Sequence, residues 1–266
     1  MKISTTTRGA RLPSHPSRAA FLLTLAIPLL CPQPGVAAEF TYNGDTGPGF
    51  WAELDDAWQS CGDGSGQSPI AIEATRPGIG LVALQPVVNL VDTPISLTNN
   101  GHTLENEYEP GSSITLDGVL YELTQFHFHT LSEHSIDDER GAMEMHAVFK
   151  DPDSGNIVVM GQLFRLGAEN AFLAQIDSSL PAKSGETFES EALINVGEGF
   201  ADLRKYFRYQ GSLTTPPCSP IVTWIVLENW ATMSAAQFER FNGILGNNFR
   251  PHQPLAGRTV SKARGK

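Results

Sequence analysis

The run Phe126-His127-Phe128-His129 constrains this chain more than any other segment. Alternate side chains of a β-strand point to opposite faces. In a strand, His127 and His129 therefore share one face, which Gln125 joins, while Phe126 and Phe128 are free to pack on the other. The run ends an expected strand, Val119–His129, that follows the turn pair Asp117-Gly118. Ala142–Phe149 reads as the next strand, and along it Glu144, His146 and Val148 share a face. Antiparallel pairing through the intervening loop sets His146 beside the first two histidines. Three neutral imidazoles bind a metal and leave a fourth tetrahedral position open. Nitrogen ligands without thiolate or carboxylate suit zinc, with copper, nickel and cobalt left open. Gln125 and Glu144 are placed to accept hydrogen bonds from the ligand imidazoles and so fix their orientation. A His-x-His pair arises by chance, but a third histidine in phase with Gln and Glu outweighs that explanation. His134, in the loop after Glu133, is read as a hydrogen-bonding residue, and His252 has no comparable placement.

The remaining pattern is strand-dominated. Asn156–Arg165 reads as a strand after the turn Asp153-Ser154-Gly155, and Ile221–Glu228 is apolar enough to lie buried on both faces. Helices are few. One runs from Ser234 to about Gly243, opened by a capping-box pair, Ser234 and Gln237, with Phe238 and Phe241 sharing a face and Gly243 as its stop. Asn170–Ser178 reads as a second, with Phe172, Leu173 and Ile176 inward. The expected fold class is mainly β (α+β), a single domain with short peripheral helices.

The first 38 residues read differently. Lys2, Arg8, Arg11 and Arg18 precede an apolar run from Ala19 to about Cys31, and Val36-Ala37-Ala38 follows. This is the order of a secretory signal, with cleavage expected after Ala38. The apolar run is too short for a lasting anchor, and bulky Leu30 argues against a lipoprotein reading of Cys31. The expected organisation is a signal at 1–38 and one domain at 39–266, periplasmic or secreted. The signal holds four of the 18 Lys and Arg residues and none of the 29 Asp and Glu residues, so the remainder carries 14 basic against 29 acidic groups, a net charge of −15. Such a surface repels phosphate backbones, so nucleic acid is an unsuitable partner. Cys61 and Cys218 remain as an even pair in a chain bound for an oxidising compartment, and a bond between them is expected, with two buried free thiols as the alternative.

The histidine runs Phe126-His127-Phe128-His129, Ser132-Glu133-His134 and Glu144-Met145-His146 resemble the alpha-class carbonic anhydrases, particularly the exported bacterial ones. Further matches are Gln67-Ser68-Pro69-Ile70, Asn99-Asn100-Gly101-His102, Gly211-Ser212-Leu213-Thr214-Thr215-Pro216-Pro217 after Tyr206, Val222-Thr223-Trp224-Ile225-Val226-Leu227 and Arg250-Pro251-His252-Gln253-Pro254. They run in family order from about Tyr42 to Arg258. The resemblance implies a twisted, mostly antiparallel sheet of about ten strands. It also implies zinc-dependent reversible hydration of carbon dioxide to bicarbonate and a proton, through zinc-bound hydroxide. Zinc lowers the pKa of its bound water to about 7, a value that belongs to the family as the standard three-histidine zinc example and is not read from this chain.

Residue by residue, the resemblance assigns the zinc ligands to His127, His129 and His146, the hydroxyl gate to Thr214 and its carboxylate partner to Glu133. It assigns the proton-shuttle histidine to His102 and the tyrosine of the cleft's water network to Tyr42. The substrate pocket falls on Val148, Val159, Leu213, Thr215, Val222 and Trp224, and the family's disulfide on Cys61–Cys218. Phe40 stands where many relatives have Trp. Leu131 stands where bacterial relatives usually have Pro, which is expected to loosen the loop carrying Glu133. The implied partner is a small-molecule substrate, carbon dioxide or bicarbonate, with no nucleic acid and no stable membrane anchor; a homodimer is left open. Three rival functions fit the sequence less well. An acatalytic binding module would have lost a zinc histidine. An esterase with its own nucleophile would carry a Gly-x-Ser-x-Gly elbow, which is absent. An extracellular zinc-binding adhesion protein would need neither shuttle nor apolar wall.

Overall fold

The computed structural model describes residues 1–5, 9, 39–74, 80, 81 and 85–263. The chain divides into two compact units, Met1–Ala37 and Ala38–Lys266, and every element below belongs to the second. The expected secretory signal and its cleavage site lie, residues 1–5 and 9 apart, outside the described residues.

A 13-stranded sheet dominates. Ten of its strands form one path, in the order Thr187–Ile194, Thr93–Asn99, Leu104–Glu107, Val119–His129, Met143–Lys150, Ile157–Leu166, Val222–Leu227, Tyr206–Gly211, Ser261–Lys262 and Gly80–Leu81. Most neighbours are antiparallel; Ile157–Leu166 with Val222–Leu227, and Ser261–Lys262 with Gly80–Leu81, are parallel. The remaining three strands pair beside the path, and a separate three-stranded sheet joins Ala71–Ile72, Ser135–Ile136 and Glu139–Arg140.

The period-2 pattern decides which side of the sheet becomes the site. Phe126, Phe128, Met143, Met145, Ala147 and Phe149 are buried in the larger core. A second core on the opposite face holds Val159, Val222 and Trp224, with Val148 and Leu213 against it. Burying one such aromatic or aliphatic side chain contributes about 1.5–3 kcal/mol, so a one-residue slip that exchanged the faces is strongly disfavoured. The turn that launches the Val119–His129 strand has Asp117 at φ 53° and Gly118 at φ 86°. Both values fit a tight hairpin turn of the Asp-Gly kind. Val222–Leu227 lies between two strands and is almost wholly buried, as its apolar run requires.

The helices are shorter or longer than expected. Ala235–Leu245 passes Gly243 and stops at Gly246, whose φ of 59° suits glycine and whose N–H donates to the Asn242 carbonyl. Its capping box between Ser234 and Gln237 is present. The segment after Asn170 gives only a helix at Ala171–Ala174 and then turns, although Phe172, Leu173 and Ile176 are buried. A third cluster gathers Trp51 and the Cys61–Cys218 disulfide, with Phe40, Tyr42 and Trp58 packed against it.

Candidate metal centre

The ladder between Val119–His129 and Met143–Lys150 places His127 directly opposite His146, and His129 opposite Glu144. The imidazoles of His127, His129 and His146 converge, with ring centroids 4.7–5.1 Å apart. One nitrogen from each lies within 4.8 Å of the other two.

Each ring has its other nitrogen engaged. His127 Nδ1 is 2.7 Å from Gln125 Oε1, His129 Nδ1 is 2.7 Å from the Asn248 carbonyl, and His146 Nε2 is 2.9 Å from Glu144 Oε1. With those nitrogens donating, His127 and His129 present Nε2 to the common point and His146 presents Nδ1. His146 Nδ1 and His127 Nε2 stand 3.3 Å apart. Two nitrogens bonded to one zinc at its usual 2.0–2.1 Å, at the tetrahedral angle, stand about 3.3 Å apart. His129 Nε2 is buried and has no hydrogen-bond partner. Burial, reinforced by the neighbouring imidazoles, holds His127 well below the ordinary histidine range, and burial also lowers His129 against the pull of Glu133. Rings whose nitrogens converge on one point fit a metal ion, which is bound by neutral imidazole.

Glu144 holds this arrangement from below. Burial works to raise its carboxyl, but the charges and hydrogen bonds of His134 and His146 outweigh that and hold it well below the carboxylate range. Oε1 lies 2.8 Å from His134 Nδ1, and Oε2 accepts the His134 backbone N–H at 2.8 Å. A Cβ on Gly161, opposite His146 in the next ladder, would stand 2.7 Å from Glu144 Oε1, so glycine there leaves the carboxylate its space. His134 continues outward: its Nε2 is 2.7 Å from the Tyr209 hydroxyl, which is 2.9 Å from Ser68 Oγ. His134, Glu144 and His146 also form a compact donor group, but its atoms hydrogen-bond to one another, so it serves as the support of the first.

Glu133 is fully buried. Its Oε1 accepts the Arg250 backbone N–H at 2.8 Å, and its Oε2 has no partner and lies 3.7 Å from His129 Nε2. The loop that carries Glu133 is held tightly despite Leu131. Ser132 Oγ donates to the His134 carbonyl and accepts from the Gly141 N–H, each at 2.7 Å, and Thr130 N–H donates to Asn248 Oδ1 at 2.7 Å. Packing and hydrogen bonds therefore fix the loop where residue type at position 131 does not.

The three histidines open into a cavity of about 270 Å3, continuous with solvent. Val148, Val159, Leu213 and Trp224 line it, with Thr214 and Thr215 on the same wall. Val222 is not among the lining residues; it is fully buried in the same cluster as Val159 and Trp224. His102, Tyr42 and Phe40, each partly exposed, also line the cavity. His102 stacks on Phe40 with ring centroids 3.9 Å apart and planes within 9°. Burial lowers the His102 imidazole, and the Glu39 charge opposes that shift. The Tyr42 hydroxyl is buried without a partner, and burial, then the Glu133 charge, keeps it protonated. The disulfide, with Cα atoms 5.0 Å apart, ties the loop after Thr214 and Thr215 to the Asp56–Gly62 turn.

Sequence reasoning missed Asn248, Tyr209, Arg250 and Glu105. Asn248 acts through a carbonyl that every residue possesses. Arg250 is almost completely buried and donates to Gln67 Oε1 and to the carbonyls of Ser68 and Cys61 at 2.7–2.8 Å. Glu105 lines the cavity from Leu104–Glu107, a strand too short and polar to show an alternating pattern.

The comparisons with known proteins agree with this geometry. The family model of eukaryotic-type carbonic anhydrase matches residues 46–264. A carbonic anhydrase from Klebsiella pneumoniae is 37% identical over 245 residues, covering 91% of this chain and 96% of that protein. The alpha-carbonic anhydrase of Thermovibrio ammonificans, solved with the inhibitor sulfanilamide, superposes with a TM-score of 0.80 at 36% identity, covering 85% of this chain and all of that one. Dioscorin, solved in complex with ascorbate, also superposes at 0.80, with 28% identity over 86% of this chain and 99% of that one.

Proposed function

Since the chain belongs to the eukaryotic-type, or alpha, carbonic anhydrase family of lyases, we propose that it catalyses the zinc-dependent, reversible hydration of carbon dioxide to bicarbonate and a proton. One observation carries this reading. Three converging imidazoles line a solvent-connected cavity with an apolar wall.

His127, His129 and His146 would hold the zinc. When bound, zinc acts as a Lewis acid that lowers the pKa of a coordinated water to about 7, a value known for this enzyme class and not obtained from this structure. The protein supplies orientation. Glu133 Oε1 is engaged by the Arg250 N–H, and Oε2, which has no partner in this structure, is the acceptor proposed for a hydrogen bond from the Thr214 hydroxyl. Thr214 then offers a lone pair to the cavity, so a water there donates to Thr214 and turns its own lone pair toward the substrate. Carbon dioxide has no net charge or dipole, and Val148, Val159, Leu213 and Trp224 give it an apolar resting place. His102, part-exposed in the cavity wall, accepts the released proton as a neutral base and passes it to solvent. Tyr42 adds a buried hydroxyl to the path between them.

The donor set also speaks against a purely binding role of the kind that a shared fold allows. A binding module needs neither three converging imidazoles nor the free Glu133 oxygen beside them. The chain is further proposed to be exported and cleaved after Ala38; the Cys61–Cys218 disulfide supports an oxidising destination. No helix among the described residues is long and apolar enough to cross a membrane.

Metal analysis joined to a chelation cycle tests the function. The purified protein is expected to hold one zinc per chain, to lose carbon dioxide hydration on dialysis against a chelator and to regain it on adding zinc. Hydration that survives complete removal of metal would refute the reading.

A further inference from the structure

We propose that Glu105 sets the anion selectivity of the cleft, disfavouring anionic ligands and the bicarbonate product at the three-histidine centre while leaving neutral carbon dioxide unaffected. The inference rests on the metal-centred reading above. Among the described residues, Glu105 is the one carboxylate lining the cavity. It pairs with His127 across the ladder between Leu104–Glu107 and Val119–His129. Directly opposed residues in an antiparallel ladder project to the same face with Cβ atoms about 4.5–5.5 Å apart. The carboxylate therefore stands beside a metal-facing imidazole.

Among the described residues no cationic side chain offsets its charge. Its surroundings are burial and the like charge of Glu107, both of which raise its carboxyl; no cation or hydrogen-bond donor acts on it. The other lining residues are neutral or histidine. Low-dielectric walls concentrate the field of such a charge inside a cleft. Two unit charges about 8 Å apart, at an effective dielectric constant near 30, interact by roughly tenfold in affinity. An anion reaching the metal feels this repulsion and carbon dioxide does not.

The test uses the cobalt-loaded protein at pH 6.5, where a free carboxylate is ionised and a metal-bound water of pKa about 7 is still largely neutral, and follows thiocyanate binding by visible absorption. Glu105→Gln and Glu105→Asn are expected to bind thiocyanate about tenfold more tightly than wild type. Glu105→Asp, which keeps the charge, and Glu107→Gln, whose parent residue is exposed and off the cavity wall, should stay within about twofold of wild type. In the zinc protein, the KM for bicarbonate should fall in the Gln variant while the KM for carbon dioxide does not change. Equal thiocyanate affinity in wild type and both neutral variants would overturn the inference alone. A cobalt-loaded wild type with no thiocyanate response would overturn the open-position reading and the inference together.

Discussion

His127 and His146 face each other across one rung of the sheet, with the Nε2 of one 3.3 Å from the Nδ1 of the other. Two bare lone pairs at that spacing repel unless a cation lies between them, so their orientation must be imposed from outside. Gln125 and Glu144 impose it. Partners of this kind typically account for about 10–100-fold in metal affinity. Gln125→Ala and Glu144→Ala are each expected to weaken zinc binding in that range, measured by competition with a chromophoric chelator. Unchanged affinity and rate in Gln125→Ala would show that its hydrogen bond does not orient His127.

Phe40 stacks on His102 and holds the imidazole in the cavity wall. Because burial lowers this histidine, it is largely neutral at pH 7 and ready to accept a proton. His102→Ala should reduce kcat by about one to two orders of magnitude in dilute buffer, with kcat/KM little changed, and added imidazole should restore it. A kcat that is insensitive to both changes would remove His102 from the proton path.

The Cys61–Cys218 bond closes a loop of 157 residues. Cross-links of this reach typically contribute about 2–5 kcal/mol. Cys61→Ser with Cys218→Ser should lower denaturation stability by that amount. Activity should fall as well, since the bond steadies the loop that carries Thr214.

His252 carries a pH signature separate from catalysis. Arg140 Nη2 donates to its Nε2 at 3.1 Å, and burial, then the Arg140 charge, pushes it down to about 4. In the unfolded chain it titrates near 6.5. Between those values the unfolded state binds the extra proton, so this contribution is complete above pH 6.5 and is lost as pH falls toward about 4. His252→Gln should flatten the decline of thermal stability over that window relative to wild type. Parallel curves would contradict the assignment.

The part of the site that depends on strand period was legible in the sequence. Alternation at 125–129 and at 144–148 separates metal-facing from core-facing residues, and the ladder register follows from it. What depends on remote backbone was not legible. The Asn248 carbonyl that orients His129 leaves no trace in residue type. The helix stop moved from Gly243 to Gly246 because both are glycines after an apolar face and only the second takes the positive φ. Val222 shares its strand face with Trp224, but depth relative to the cavity is a tertiary property. Glu105 was overlooked because its four-residue strand has no apolar alternation.

The central claim, that the three histidines make a metal centre that hydrates carbon dioxide, is tested most directly by stopped-flow hydration with a pH indicator on residues 39–266. Wild type and His129→Ala are compared, each folded and assayed with and without chelator. The account predicts fast hydration by wild type, lost on chelation and absent in His129→Ala. Wild-type protein that is folded and zinc-loaded, yet hydrates carbon dioxide no faster than buffer, would contradict it.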